Sequence, residues 1–355
     1  MTERRGPLRV EVEAAASYEL VLSLSVMSDV AGRAAYQVES EWLTSTRTRA
    51  SGDLVADIES FSGGSDMVWA HLLSLAYESP PPRDVPTFLA HLETADPLEL
   101  RLRLLGYYVR YFRRSTRPEI IAAAARGDPE AQREFRRTSS PADRAWQAAL
   151  QELLPLDPAE TKRRLLGLLR RWYTEVFEDQ EPEILPILRR DAGAKEVLAR
   201  GLPPEELLDA AIPGYDYVPE PGVRRLVLIP SFVARPQTHT FEHHEVKFLV
   251  YPVADESLSA DRTLPSPRLV RTLKALADER RLKLLKRLTE GSYTLQELAD
   301  HFEVGSTTMF HHLVILRSAG LVRQAHGSVK RYSLSLQEIS DLSRLLEDYL
   351  RNDHI

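Results

Sequence analysis

"TLQELADHFEVGSTTMFHHLVILRSAGLV", residues Thr294–Val322, is the stretch on which the fold turns. Thr294 and Glu297 have the spacing of a capping box, in which each side chain accepts from the other's backbone N–H and so opens a helix. Leu295, Leu298, Ala299 and Phe302 then recur at helical spacing as its buried face. The pattern stops at Glu303–Gly305, where Gly305 tolerates a conformation that a helix interior would not. A second helix starts at Ser306. Met309, Leu313, Leu316 and Gly320 share its inner face, while Ser306, Thr307, Phe310, His311 and Val314 point away. Two helices joined by about three residues, the second with small polar residues on its outer first turn, define a helix-turn-helix.

The flanks extend this reading. Upstream, Leu269, Leu273 and Leu276 form one stripe and Leu282, Leu285 and Leu288 a second, separated by the charged turn Asp278–Arg281. Downstream, "LVRQA" (Leu321–Ala325) and "VKRYSL" (Val329–Leu334) read as short strands around a tight turn at His326–Ser328. Arg323, Lys330 and Arg331 rim that turn, so the hairpin is a basic wing whose cations would reach phosphates. Ser335 and Glu338 cap a last helix carrying Ile339, Leu342, Leu346 and Tyr349 on one face. So small a module has no interior for that stripe, which is expected to pack on a second subunit or on the rest of the chain.

"LADERRLKLL", "ELADHFEV", "HHLVILRSAGLV" and "GSVKRYSL" together resemble the ArsR-type winged helix-turn-helix of bacterial transcriptional regulators, over Leu273–Leu334, about a quarter of the chain. The resemblance implies a dimer with the first and last helices of the module at the interface and the helix from Ser306 in the major groove. Departures also count. "LQELADHF" has no thiol where the family's metal sensors carry a cysteine pair, and His354 stands alone near the end, so metal sensing in this module is not expected. Phe310 replaces the small polar residue usual before the double histidine.

Candidate contacts to double-stranded DNA are Gln296, Ser306, Thr307, Thr308, Phe310, His311, Arg317, Arg323, Ser328, Lys330 and Arg331. Hydroxyls at a helix N-terminus suit phosphates or base edges, although Ser306 and Thr307 also suit simple caps. Phe310 and Val314 offer contacts to thymine methyl groups or an apolar patch with another use. Neighbouring helical positions diverge by about 100°, so His311 and His312 are poorly placed to share one metal. His311 faces outward as a donor to a base edge or phosphate. His312 is expected to be a buried structural residue with Thr308 as its partner.

The rest of the chain reads differently. Its 355 residues exceed one typical domain. From Pro267 to Gln337 twelve Lys and Arg oppose six Asp and Glu, a balance of +6 in a chain of −6, which leaves the remainder at −12. A basic module on an acidic body raises the expectation of a polyanionic partner at the C-terminal end. The fold expected is mainly α: a multi-helix body with a small β-hairpin or sheet over residues 1–255, a linker over 256–267 and the winged helix-turn-helix over 268–355. Helical stripes such as Leu98, Leu102, Leu105 and Val109, or Leu165, Leu169, Trp172 and Val176, fill the body, broken at Ser79–Pro86, Arg137–Asp143 and Leu202–Glu206. Arg224–Phe232 and Val246–Val253 read as two strands joined by a polar loop. Trp42, Trp69, Tyr107, Tyr111, Trp146 and Trp172 suit a core better than a pocket, though a small-molecule effector in the body is one use for them.

The absence of cysteine removes disulfides, thiolate metal sites and cysteine nucleophiles, and suits the cytoplasm. Glu11, Glu13 and Glu19 interrupt the apolar run near the N-terminus, so neither a secretory signal nor a membrane span is expected. "HTFEHHE" (His239–Glu245) is the rival centre. His239, His243 and His244 there would serve a metal- or ligand-binding sensor or metal-dependent enzyme, with the winged helix docking protein. Phe248 stands where the second histidine of a His-Glu-x-x-His site belongs, and the segment reads as a strand where that motif needs a helix. No phosphate loop, nucleophile elbow or dinucleotide fingerprint occurs. The expectation is a cytoplasmic, homodimeric DNA-binding transcriptional regulator, a repressor, without cofactor or enzymatic activity.

Overall fold

The computed structural model describes residues 8–29, 42–141, 143–212, 220, 222–235, 237–258, 265, 267–325 and 330–351. Its contacts divide the chain into two units, Met1–Ala192 with Gly222–Pro252, and Gly193–Pro221 with Val253–Ile355. The division therefore falls after Pro252, where the last strand of the body ends, and residues 193–221 group with the C-terminal unit. Asp255 is fastened there: its buried carboxylate pairs with Arg271 at 2.6 Å.

In the first unit, β1 (Arg9–Val12) leads into α1 (Ala16–Ser28), every residue of which is buried. A helix buried around its whole circumference, as this one is, sits at the centre of a core. Around it the helix starts are set by aspartates. Asp84, Asp96, Asp128, Asp143 and Asp157 each accept the backbone N–H three residues on, at 2.7 to 3.0 Å. After Asp96, Asp128 and Asp157 the next residue is proline, whose fixed φ and missing donor suit the first helical position. The last of these opens α2 (Pro158–Trp172), which continues into a π-turn over Tyr173–Phe177 and buries Leu165, Leu169, Trp172 and Val176.

The Leu98–Val109 stripe is not one helix. The helix Pro97–Leu104 ends before Gly106, which has φ 72°, and a Cβ there would lie 2.4 Å from the Phe112 ring. Only glycine allows both that backbone and that approach.

The two apolar strands are β2 (Arg225–Ser231) and β4 (Val246–Pro252), and they do not form a hairpin with each other. They run parallel, and the polar segment between them supplies β3 (His239–His243), which pairs antiparallel with β4 through a tight turn where His244 has φ 52°. The sheet order is β1-β2-β4-β3, with β1 parallel to β2. Strands covered on both faces read as continuous apolar runs, as β2 and β4 do, whereas the edges carry polar residues.

All four tryptophans belong to the core, and each indole N–H is satisfied inside it. Trp42 donates to Gln180 at 2.7 Å, Trp69 to Ser28 at 2.7 Å, Trp146 to Ser139 at 3.0 Å and Trp172 to Ser23 at 2.8 Å. Rings so pinned are packing elements. Tyr107 is half-buried with its ring edge-on to Tyr108; the Tyr111 side chain lies outside what is described. Glu19 on α1 is fully buried. Its Oε1 accepts from the N–H of Phe232 at 2.9 Å and of Val233 at 2.8 Å, and burial still pushes its carboxyl up to about 7.

In the second unit five helices and one hairpin make the module: α3 (Pro267–Leu276), α4 (Glu279–Leu288), α5 (Leu295–His301), α6 (Ser306–Ser318), β5 (Val322–Ala325), β6 (Arg331–Leu334) and α7 (Leu336–Arg351). Leu284, Leu285, Leu288, Leu298, Ala299, Met309, Leu313, Leu316, Leu321 and Tyr332 share one core. The α4 stripe is rotated from the one read in the sequence: Leu284 is buried and Leu282 is 49% exposed. Arg281 fixes the α3–α4 junction by donating to the carbonyls of Ala275 at 2.6 Å and Lys274 at 2.9 Å, orphan acceptors at the end of α3. Among the described residues no helix is long and apolar enough to cross a membrane.

Candidate nucleic-acid interface

The capping box forms as its spacing requires. Thr294 Oγ1 accepts from the Glu297 N–H at 3.2 Å, and Glu297 Oε2 accepts from the Thr294 N–H at 2.7 Å. These bonds hold the Glu297 carboxyl below its usual range. The break before α6 works otherwise than its glycine suggests. Gly305 is extended at φ −64°, with open space where a Cβ would sit, and Glu303 takes the left-handed conformation at φ 53°.

From that turn α6 presents its outer face. Ser306, Thr307, Thr308, Phe310 and His311 are exposed, while Met309, Leu313 and Leu316 are buried. Gln296 orders the start of the helix: its amide donates to Asp300 at 2.7 Å and its Oε1 accepts from the Ser306 hydroxyl at 3.2 Å. Gln296, Ser306, Thr307, Thr308, Phe310 and His311 thus come together at the exposed ends of α5 and α6.

Arg317 does not join them. It is half-buried near the end of α6 and bonds to the buried Gln324 of β5, and burial lowers its pKa. Its role in the described structure is to fasten the helix to the hairpin.

His312 is half-buried as expected, but the Thr308 hydroxyl does not supply its bond. His312 Nδ1 is buried without a hydrogen-bond partner among the described residues, and burial, ahead of its charged neighbours, lowers its pKa.

The hairpin pairs Val322 with Leu334 through to Ala325 with Arg331, and Tyr293 bridges to Tyr332 as a one-residue third strand. Tyr293 stands directly before the capping threonine, so this bridge ties the start of α5 to the wing. The sequence reading missed it, since a single bridging residue has no periodicity. Arg331 is exposed but engaged, donating to the Ser292 carbonyl at 2.7 Å and lying 3.5 Å from Glu297. Lys330 is exposed and Arg323 is half-buried. The turn residues His326–Val329, and with them Ser328, lie outside the described residues, as do His354 and the Glu338 side chain.

The rival histidine cluster is built into an edge strand. His243 Nε2 lies 3.2 Å from Glu78, which also pairs with Arg103 at 2.9 Å, and Glu242 pairs with Arg110 at 3.1 Å. The His239 ring lies parallel to Phe241, and the His244 ring packs tilted against Tyr108. The acids that a metal would need are committed to arginines. Among the described residues no group of three or more His, Asp or Glu side chains is placed to hold a metal ion.

A capped helix, a tight turn, a second helix with a polar outer face and a paired hairpin define a winged helix-turn-helix, the architecture of DNA-binding transcriptional regulators. Residues 278–324 match the family described as "Bacterial regulatory protein, arsR family". The chain is 34% identical over 82 residues to the transcriptional activator HlyU of Vibrio cholerae serotype O1, covering 76% of that protein and 23% of this chain. It is 33% identical over 69 residues to the transcriptional repressor SdpR of Bacillus subtilis, covering 77% of that protein and 19% of this chain. The chain belongs to the arsR family of bacterial regulatory proteins.

Proposed function

We propose that the protein is a homodimeric, cytoplasmic transcriptional repressor that lays α6 in the major groove of double-stranded DNA and sets its wing on the flanking phosphates. The observation that carries this reading is the outer face of α6, where five consecutive-turn residues from Ser306 to His311 stand exposed above a packed core. Hydroxyls and an imidazole there match the donors and acceptors of base edges. Repression needs only an occupied site, whereas activation needs a further surface for the transcription machinery. The acidic body, a separately packed unit, is proposed to carry an effector that favours one spacing of the two reading helices.

Binding measured against salt tests the contacts. Lys330→Ala is expected to weaken binding to all duplexes alike and lower the salt slope by about one. Thr307→Ala is expected instead to change the preference among sites. Arg331 also holds Ser292, so its removal mixes both effects. Fragments of the source genome bound no more tightly than random duplex at about 0.15 M salt would sink the proposal.

A further inference from the structure

Phe310 is the large apolar side chain that α6 turns outward. The residue is 41% exposed and is not among those packed on the module's core, although Met309 beside it is buried. Its exposed neighbours Ser306, Thr307, Thr308 and His311 all carry hydrogen-bonding groups, so the aromatic ring is the exception on that face. Val314, one turn further and half-buried, extends the same strip. α6 contains no Asn, Gln or Lys, and its single arginine, Arg317, is tied to Gln324. The helix therefore lacks the forked side chains that read guanine or adenine by paired hydrogen bonds. The floor of the major groove offers one apolar group to such a surface, the C5-methyl of a pyrimidine.

We infer that Phe310 reads the C5-methyl of a thymine in each half-site, an inference that rests on the DNA-binding proposal above. The ring has no hydrogen-bonding atom, so it selects for the methyl and not for the polar edge of the base. Water leaves both the ring and the methyl on docking, which gives the contact its free energy. A methylated cytosine would present the same methyl, and the test separates the two sources.

The test takes a fragment bound by the full-length protein, prepared as a synthetic duplex without methylated cytosine, and replaces each thymine in turn by uracil. Uracil lacks the methyl and keeps the hydrogen-bonding edge. One position per half-site is expected to lose about four-fold in affinity on this change, the worth of one buried carbon. Phe310→Ala is expected to bind the thymine and uracil duplexes equally, and Phe310→Leu to keep part of the discrimination. Because the ring lies outside the core, both variants should melt as the parent does. An unchanged thymine-to-uracil ratio in Phe310→Ala would overturn the inference while leaving the DNA-binding proposal intact. So would a protein indifferent to uracil that binds only duplexes with methylated cytosine. Failure to find any fragment bound above random duplex would instead remove the proposal itself.

Discussion

Glu19→Gln is expected to gain stability relative to the parent protein as pH rises from about 5 to 8, by on the order of 3 kcal/mol. Glu19 is buried in α1, and burial raises its carboxyl from an ordinary 4.5 to about 7 against two backbone hydrogen bonds. Folded protein thus holds a proton that the unfolded chain releases between those values. The stability Glu19 contributes is full below about 4.5 and is lost as pH climbs through 7. Glutamine keeps the oxygen that accepts from Phe232 and Val233 but cannot ionise, so its own cost is independent of pH. Asp66, raised to about 6 chiefly by burial, shifts stability in the same direction as Glu19. His71 opposes them: burial lowers it to about 4, so its contribution is lost as pH falls below its ordinary 6.5. Both remain in each protein and cancel in the difference. Denaturant unfolding of the two proteins at several pH values measures it, and a difference flat across that range would refute the assignment.

Leu336→Glu combined with Leu350→Glu is expected to convert the proposed dimer to monomer and cut operator affinity by about two orders of magnitude, because the second half-site no longer binds as part of the same assembly. The two leucines are 68% and 66% exposed on α7, and Ile339, Leu346 and Tyr349 on the same helix, with Leu273 on α3, are also exposed. In the proposed dimer these large apolar side chains along one helix pair would be covered by the partner subunit. Charge at two largely exposed positions costs the protomer little, so its melting should not change. Light scattering reads the mass and anisotropy the affinity; a variant still dimeric and binding undiminished would exclude α7 from the interface.

The C-terminal module was legible because its signals are local. The Thr294 capping box, the Met309-Leu313-Leu316 face and the basic hairpin each involve residues within a few positions of one another, and each appears where its spacing placed it. Arg317, a candidate DNA contact in the sequence, bonds to Gln324 of β5 in the structure. The Gly305 break was credited to glycine when Glu303 carries the unusual backbone. The body's helix starts were equally local yet passed unread: Asp-Pro at Asp96, Asp128 and Asp157 caps three helices.

The sequence by itself determined the helix-turn-helix, its outward residues, the basic wing and the apolar strands β2 and β4, since helix caps, apolar periodicity and charge act over a few residues. Only the tertiary structure decided that β2 and β4 run parallel, that Arg9 pairs with Arg225, that polar residues 239–243 form an edge strand, and that Glu19 and the indoles of Trp42, Trp69 and Trp172 find partners far along the chain. Those choices depend on which distant segments meet when the core closes, and no short-range pattern encodes a partner two hundred residues away.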